Sequence, residues 1–174
     1  MRGGRRRNFR GKAFESELMS SFKHWNEVGG RTHLFKMRIS DTQDFIKINP
    51  LIMIPKQPGD FFLVYKGRAI LIEAKSTIMP SFRTEWLRDG QREGLTSIEK
   101  ASGEGYIFFS NRGSPNRTWA VRWPPIEPYF RDESITTISF SQVISRIGVE
   151  LPMELVKVNG RIKSIWNLTP ILEG

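Results

Sequence analysis

Cysteine is missing from all 174 residues. Its absence excludes disulfides, a thiol nucleophile and any Cys-ligated zinc or iron–sulfur site. It also fits a reducing compartment, and a cytoplasmic location is expected. Histidine is scarce: His24 and His33 are the only two, and neither is assigned to chemistry. A multi-His metal centre and a Ser-His-Asp triad are therefore not expected. No apolar run approaches the roughly 18 residues that a membrane-spanning helix needs. The basic N-terminus lacks the apolar stretch of a secretory signal, so no membrane partner is expected. Internal repeats are absent too. What is present suffices for a packed core: 39% of residues are hydrophobic and 11% aromatic, in a length typical of one domain.

Charge is unevenly placed. Lys and Arg number 27 against 18 Asp and Glu, a net +9. Six of those positive charges (Arg2, Arg5, Arg6, Arg7, Arg10 and Lys12) fall in the first twelve residues, which hold no acid. With Gly3 and Gly4 and no apolar anchor, residues 1–12 read as a flexible basic arm. Such an arm on a near-neutral body points to a polyanion, nucleic acid first. A solvated tail that only aids solubility is the main alternative, with membrane-surface binding a minor one because nothing in the arm places hydrophobic side chains in a bilayer.

Along the chain, Phe14, Leu18, Phe22 and Trp25 recur at helical spacing, which predicts an amphipathic helix over 11–28, stopped by Gly29-Gly30. Residues 32–39 read as a strand and 40–58 as irregular. Strands are expected at 60–65 and 69–75, joined by a tight turn at Lys66-Gly67. A helix over 85–101 is weakened by Gly90 and Gly94. Strands follow at 105–110 and 118–123, and Pro124-Pro125 is read as a break. A short helix at 141–147 and a hairpin turning at Asn159-Gly160 complete the reading. This order predicts one α/β domain built on a mixed sheet.

The chemistry concentrates in the predicted hairpin. With Lys66-Gly67 as a two-residue turn, Tyr65 faces Arg68, and the same pairing carried back sets Asp60 directly across from Glu73. Opposed residues have Cβ atoms about 4.5–5.5 Å apart, and like charges there repel. Such a pair is tolerated when one carboxyl is protonated or a divalent cation lies between them. Strand alternation puts Lys75 on the same face as Glu73, while Ile70, Ile72 and Ala74 point to the core. Two carboxylates beside a lysine suit metal-assisted phosphodiester hydrolysis, with the lysine orienting the nucleophile and stabilising charge on phosphorus. Solvent-facing charges on an edge hairpin are the bland alternative.

Two helices add polar groups. Glu15 sits beside the apolar stripe of the first helix, where it could reach a metal site or simply favour the helix N-terminus. Gln91 shares an inward stripe with Leu87, Leu95 and Ile98, so it needs a buried partner. Arg83, Arg88 and Arg92 lie nearby, placed either for phosphates or for surface pairs.

Together these residues resemble the PD-(D/E)xK nuclease superfamily, and within it Holliday junction resolvases of the RecU and Hjc type. Gly11-Lys12-Ala13-Phe14-Glu15 is similar to the opening helix, Pro58-Gly59-Asp60 to the second motif, and Glu73-Ala74-Lys75 to the strand that follows. Ser81-Phe82 and then Gln91 keep the spacing of the RecU Ser-Phe pair and active-site Gln. The resemblance implies a restriction-endonuclease-like core at 13–123, a mixed central sheet flanked by helices, with 124–174 a C-terminal extension packed on it. It implies a hydrolase that uses Mg²⁺, with Mn²⁺ as a substitute. Asp60, Glu73, the Ala74 carbonyl and Glu15 would serve the metal, and Lys75 and Gln91 would complete the catalytic set. DNA would be met by Arg5, Arg6, Arg7, Arg10, Lys12, Arg83 and Arg88. The expected activity is a structure-specific endonuclease making paired nicks in four-way junctions for recombination and repair. It would act as a homodimer without a small-molecule cofactor. A nuclease of the same fold acting on flaps, ends or duplex sites, and a non-catalytic nucleic-acid-binding protein, are the alternatives. Leu51–Ile54, Trp119, Trp123, Tyr129 and Phe130 are apolar material either for a dimer face or for the core.

Overall fold

The structure, a computed structural model, describes residues 3–28, 34–38, 58–158 and 160–174. A long helix, α1 (Gly3–Val28), leads into strands β1 (Leu34–Arg38), β2 (Phe61–Tyr65) and β3 (Arg68–Thr77). Short β4 (Ser81–Arg83) and a 3-10 turn (Thr84–Trp86) precede α2 (Asp89–Lys100), β5 (Glu104–Asn111) and β6 (Arg117–Arg122). Next come α3 (Trp123–Arg131) and β7 (Thr137–Ser139), a π turn at Phe140–Ile144 running into α4 (Ser145–Ile147), and β8 (Val149–Leu151). The chain closes with the hairpin β9 (Met153–Val158) and β10 (Arg161–Trp166) and a final turn, α5 (Thr169–Leu172).

Among the described residues, six strands form the central sheet in the order β1-β2-β3-β5-β6-β8. β3 and β5 are parallel and the other neighbours antiparallel, so the sheet is mixed. The β2–β3 register is set by its turn. Lys66 and Gly67 both take positive φ, 48° and 79°, the two-residue geometry that matches the twist of a hairpin. Tyr65 therefore pairs with Arg68 and Phe61 with Ile72, as the sequence predicts.

Each face of the sheet carries its own core. On one, Ile70 and Ile72 of β3 pack with Phe14, Leu18 and Phe22 of α1. On the other, Leu71, Ile107, Phe109 and Val121 pack with Leu87, Leu95 and Trp123. α1 runs antiparallel to β3. Phe22 meets Phe61 at a ring separation of 5.3 Å, while Phe14, two turns earlier, meets Trp166 at 6.4 Å. Phe14 also lies under the Arg112 guanidinium, 5.7 Å from its centre. Arg112 follows the end of β5, and its N–H donates to the Thr77 carbonyl at 2.7 Å. The N-terminal end of α1 thus lies at the end of the sheet toward which β3 carries Lys75.

Several expectations change. Residues 3–10, expected as a flexible arm, continue α1 as helix from Gly3; apart from Gly3 and Gly4 they are mostly good helix formers. Pro124-Pro125 starts α3 instead of ending structure, because proline at the first helical positions has no N–H to waste. α2 begins at Asp89, not 85, since Arg88 is extended and the Gln91 side chain reaches back to its N–H at 3.0 Å. Residues 124–174 are more than an extension: β8 is the sixth strand of the sheet. Arg68 ties the C-terminus down by donating to the Ile171 and Leu172 carbonyls, both at 3.0 Å. Trp119, Trp123 and Phe130 are buried within the chain, so they offer no dimer face. Leu51–Ile54, His33 and the whole 40–57 segment lie outside the described residues.

Candidate active site

Asp60 enters at the start of β2. Its N–H donates to the Ile72 carbonyl at 2.9 Å, and its Oδ2 accepts from the Ala74 N–H at 2.8 Å. These two bonds clamp the aspartate against β3 at the level of Glu73. The preceding Pro58-Gly59 approaches α2 through Gly94, where an added Cβ would stand 2.3 Å from the Pro58 carbonyl oxygen. Glycine inside a helix costs about 1 kcal/mol relative to alanine. Here it admits the backbone that carries Asp60, a role the sequence reading missed although the misplaced glycine was a signal.

Glu73 is fully buried, at 0% exposure. β5 is the reason: its parallel pairing sets Glu73 beside Ile107, and β2 closes the other side. Glu73 Oε1 accepts from Lys75 Nζ and from Gln91 Nε2, each at 2.5 Å. Gln91 Oε1 in turn accepts from Lys75 Nζ at 3.2 Å and from the Arg88 N–H at 3.0 Å. Both ends of the Gln91 amide are thereby fixed, so its orientation is determined by its neighbours. The remaining oxygen, Glu73 Oε2, is buried without a hydrogen-bond partner.

That arrangement sets the electrostatics. Burial pushes the Glu73 carboxyl up from an ordinary 4.5 to about 8, against the attraction of Lys75 and reinforced by the Asp60 carboxyl. An ionised Asp60 has no proton to offer Oε2, so the pair is satisfied only by sharing a proton or by a cation. The orphaned oxygen, the opposed carboxyls and the raised affinity for positive charge fit a divalent cation with oxygen ligands. Among the described residues no group of three or more His, Cys, Asp or Glu side chains could hold a metal ion. The acidic centre is the Asp60–Glu73 pair.

The other expected residues fall as follows. Glu15 is half-buried on α1, which covers the opposite face of the sheet, and it joins no three-acid group. Ala74 points to the α1 side, with its N–H on Asp60. Arg88 is exposed at the start of α2, its backbone bonded to Gln91. Arg83 is exposed and pairs with Glu85 at 3.0 Å. Arg92 faces inward: it caps the Leu87, Thr84 and Phe130 carbonyls at 3.0–3.1 Å and holds structure. Lys12 is exposed on α1, and the side chains of Arg5, Arg6, Arg7 and Arg10 lie outside the described residues. Sequence reading missed the clamp of Arg112 on Glu17, bidentate at 2.6 and 2.7 Å, which pins α1 to the end of β5.

No protein-family profile matches the chain, and no curated protein does. Among solved structures, it is similar to Hjc from Archaeoglobus fulgidus, described as a Holliday junction resolvase from an archaeal hyperthermophile. The fold is restriction-endonuclease-like. The likeness has a TM-score of 0.51 at 16% identity and covers 80% of this chain and 95% of the archaeal one. At that identity the shared property is the fold: a mixed sheet with helices on both faces. Among the described residues, no helix is long and apolar enough to cross a membrane.

Proposed function

We propose that the chain is a divalent-metal-dependent DNA endonuclease that cuts branched DNA, most specifically a Holliday junction resolvase. The observation that carries this reading is the buried Glu73, held between Lys75, Gln91 and Asp60 with one oxygen unsatisfied. A binding protein has no use for a buried carboxylate opposed by a second one, because burial without compensation costs stability. The Hjc-like fold supports the same assignment.

Asp60 and Glu73 would hold Mg²⁺ with the Ala74 carbonyl beside them, and Glu15, on the α1 face, is left out of that ligand set. Mn²⁺ would substitute. When bound, the ion supplies Lewis acidity at the scissile phosphate and eases deprotonation of water. The chain's own residues do the positioning. Lys75 Nζ, anchored on Glu73 Oε1 and Gln91 Oε1, orients the attacking water and offsets the charge that grows on phosphorus. Gln91 keeps Lys75 and Glu73 in register, since its amide bonds to both. α1 directs residues 3–12 beyond the end of the sheet that bears Lys75, so Arg5, Arg6, Arg7, Arg10 and Lys12 would meet the DNA backbone there. Arg83 and Arg88 would add phosphate contacts beside Gln91.

A four-way junction has two-fold symmetry and needs two nicks, while one chain holds one such site. A closed homodimer matches that symmetry. The deciding experiment sets a four-way junction, a flap and a linear duplex side by side, with and without Mg²⁺. The reading predicts Mg²⁺-dependent paired nicks in the junction ahead of the other two. Preferred cutting of the flap would assign a flap nuclease of the same fold, and no cutting of any DNA would remove the nuclease assignment.

A further inference from the structure

The large apolar side chains left exposed among the described residues gather in two places. Val149, Met153, Leu155 and Ile162 belong to β8 and the β9–β10 hairpin. Ile78 and Met79, 51% and 55% exposed, follow directly on the active-site strand. Ile78 is three residues beyond Lys75, within about 10 Å along an extended chain.

This short stretch is held at both ends. The Met79 N–H donates to Thr77 Oγ1 at 3.0 Å, and the Thr77 carbonyl accepts from the Arg112 N–H at 2.7 Å. The Pro80 carbonyl accepts from the Phe140 N–H at 3.1 Å. Phe82, two residues further on, is buried. A fixed backbone thus presents two large apolar side chains, each about half exposed to water, beside the catalytic lysine.

The surroundings say what covers them. Residues 74–84 and 111–118, which meet at this end of the sheet, contain no acid, although Glu85, Glu17 and Glu150 reach in to pair with Arg83, Arg112 and Arg117. Arg88 is exposed, and its N–H shares Gln91 Oε1 with Lys75. A substrate seated at Lys75 passes over Ile78 and Met79, because they follow that lysine within about 10 Å of extended chain. A polyanion that also shows flat apolar surface complements the patch, and that is DNA with its base faces open.

We propose that Ile78 and Met79 form an apolar ledge that packs against unstacked bases beside the scissile phosphate, so that DNA with interrupted stacking is cut ahead of continuous duplex. The inference rests on the nuclease reading and adds the source of its substrate choice. In duplex the base faces are hidden, and exposing them costs unstacking energy. At a branch or a strand end that cost is already met, and apolar wedges exploit such places.

The test uses the full chain and junctions carrying 2-aminopurine next to the scissile phosphate, with Ca²⁺ for binding and Mg²⁺ for cutting. Ile78→Ser with Met79→Ser should abolish the fluorescence change seen with the native chain. It should lower junction cutting at limiting enzyme about tenfold, the scale for losing two partly buried apolar contacts, and lower duplex cutting less. Ile78→Val with Met79→Leu should keep both signals, and Leu155→Ser on the distant hairpin is the control for exposed apolar loss in general. Equal loss on junction and duplex, or an unchanged fluorescence response in the Ser pair, overturns the ledge. So does a native dimer that the Ser pair splits in sedimentation, since a second copy then covers the patch. A chain that cuts nothing removes the nuclease reading instead, and the fluorescence still decides whether the ledge meets bases.

Discussion

Replacing Glu73 by Gln should inactivate the protein and stabilise it, in a pH-dependent way. Burial raises the Glu73 carboxyl from 4.5 to about 8. Between those values the folded chain keeps a proton that the unfolded chain releases, so unfolding liberates a proton and stability falls as pH rises. Below the lower value both states are protonated and the penalty vanishes; above the upper value it is complete. The interval corresponds to about 4–5 kcal/mol, which water entry on relaxation reduces to a few. Glutamine carries no such penalty. Its carbonyl can still accept from Lys75 and Gln91, and its amide donates toward Asp60, where Glu73 Oε2 now lacks a partner. For a chain of this size each kcal/mol moves Tm by about 2–4 °C. In EDTA, Glu73→Gln and the native chain should therefore melt together near pH 4.5 and separate by roughly 5–15 °C at pH 8, the variant higher. Excess Mg²⁺ should then lift the native chain, by about 2.7 kcal/mol at a hundred times Kd, and leave the variant behind. A variant that melts lower at pH 8, or a gap that does not widen with pH, would refute the account of Glu73 as a strained buried carboxyl.

Lys75→Ala should lower the cleavage rate by a factor of about a hundred or more with binding largely kept; a loss of affinity alone would recast Lys75 as a phosphate contact. Deleting residues 1–10 should flatten the salt dependence of DNA binding by up to about 0.9 per lost phosphate contact, and an identical slope would return the arm to a solubility role. Gly94→Ala sets a methyl 2.3 Å from the Pro58 carbonyl oxygen, so it should cost about 1–3 kcal/mol in denaturant titration and slow cutting by displacing Asp60. An unaffected variant would show that the Pro58 backbone gives way freely. Mixed dimers of native and Glu73→Gln subunits should nick a junction on one strand without releasing paired duplexes, whereas full resolution would argue against one site per subunit.

Much of the geometry of the candidate site is legible in the sequence, because it is local. A two-residue turn at Lys66-Gly67 fixes the pairing of β2 and β3, and the two-residue period of a strand puts Glu73 and Lys75 on one face opposite Asp60. The helical period likewise placed Gln91 inward, and its partners proved to be Glu73, Lys75 and the Arg88 N–H. Other features depend on elements far apart in sequence, which no period encodes. Whether Glu73 is a surface charge or a buried acid was decided by β5 closing beside β3. Only packing showed that Trp119, Trp123 and Phe130 are core, that Gly94 makes room for Pro58, and that Arg112 holds α1 through Glu17 across 95 positions of sequence. Strand period and turn length settle which chemical groups share a strand face. Packing between distant elements sets how much water they keep, and desolvation is what turns a carboxylate and a lysine on one strand into a candidate metal and phosphate site.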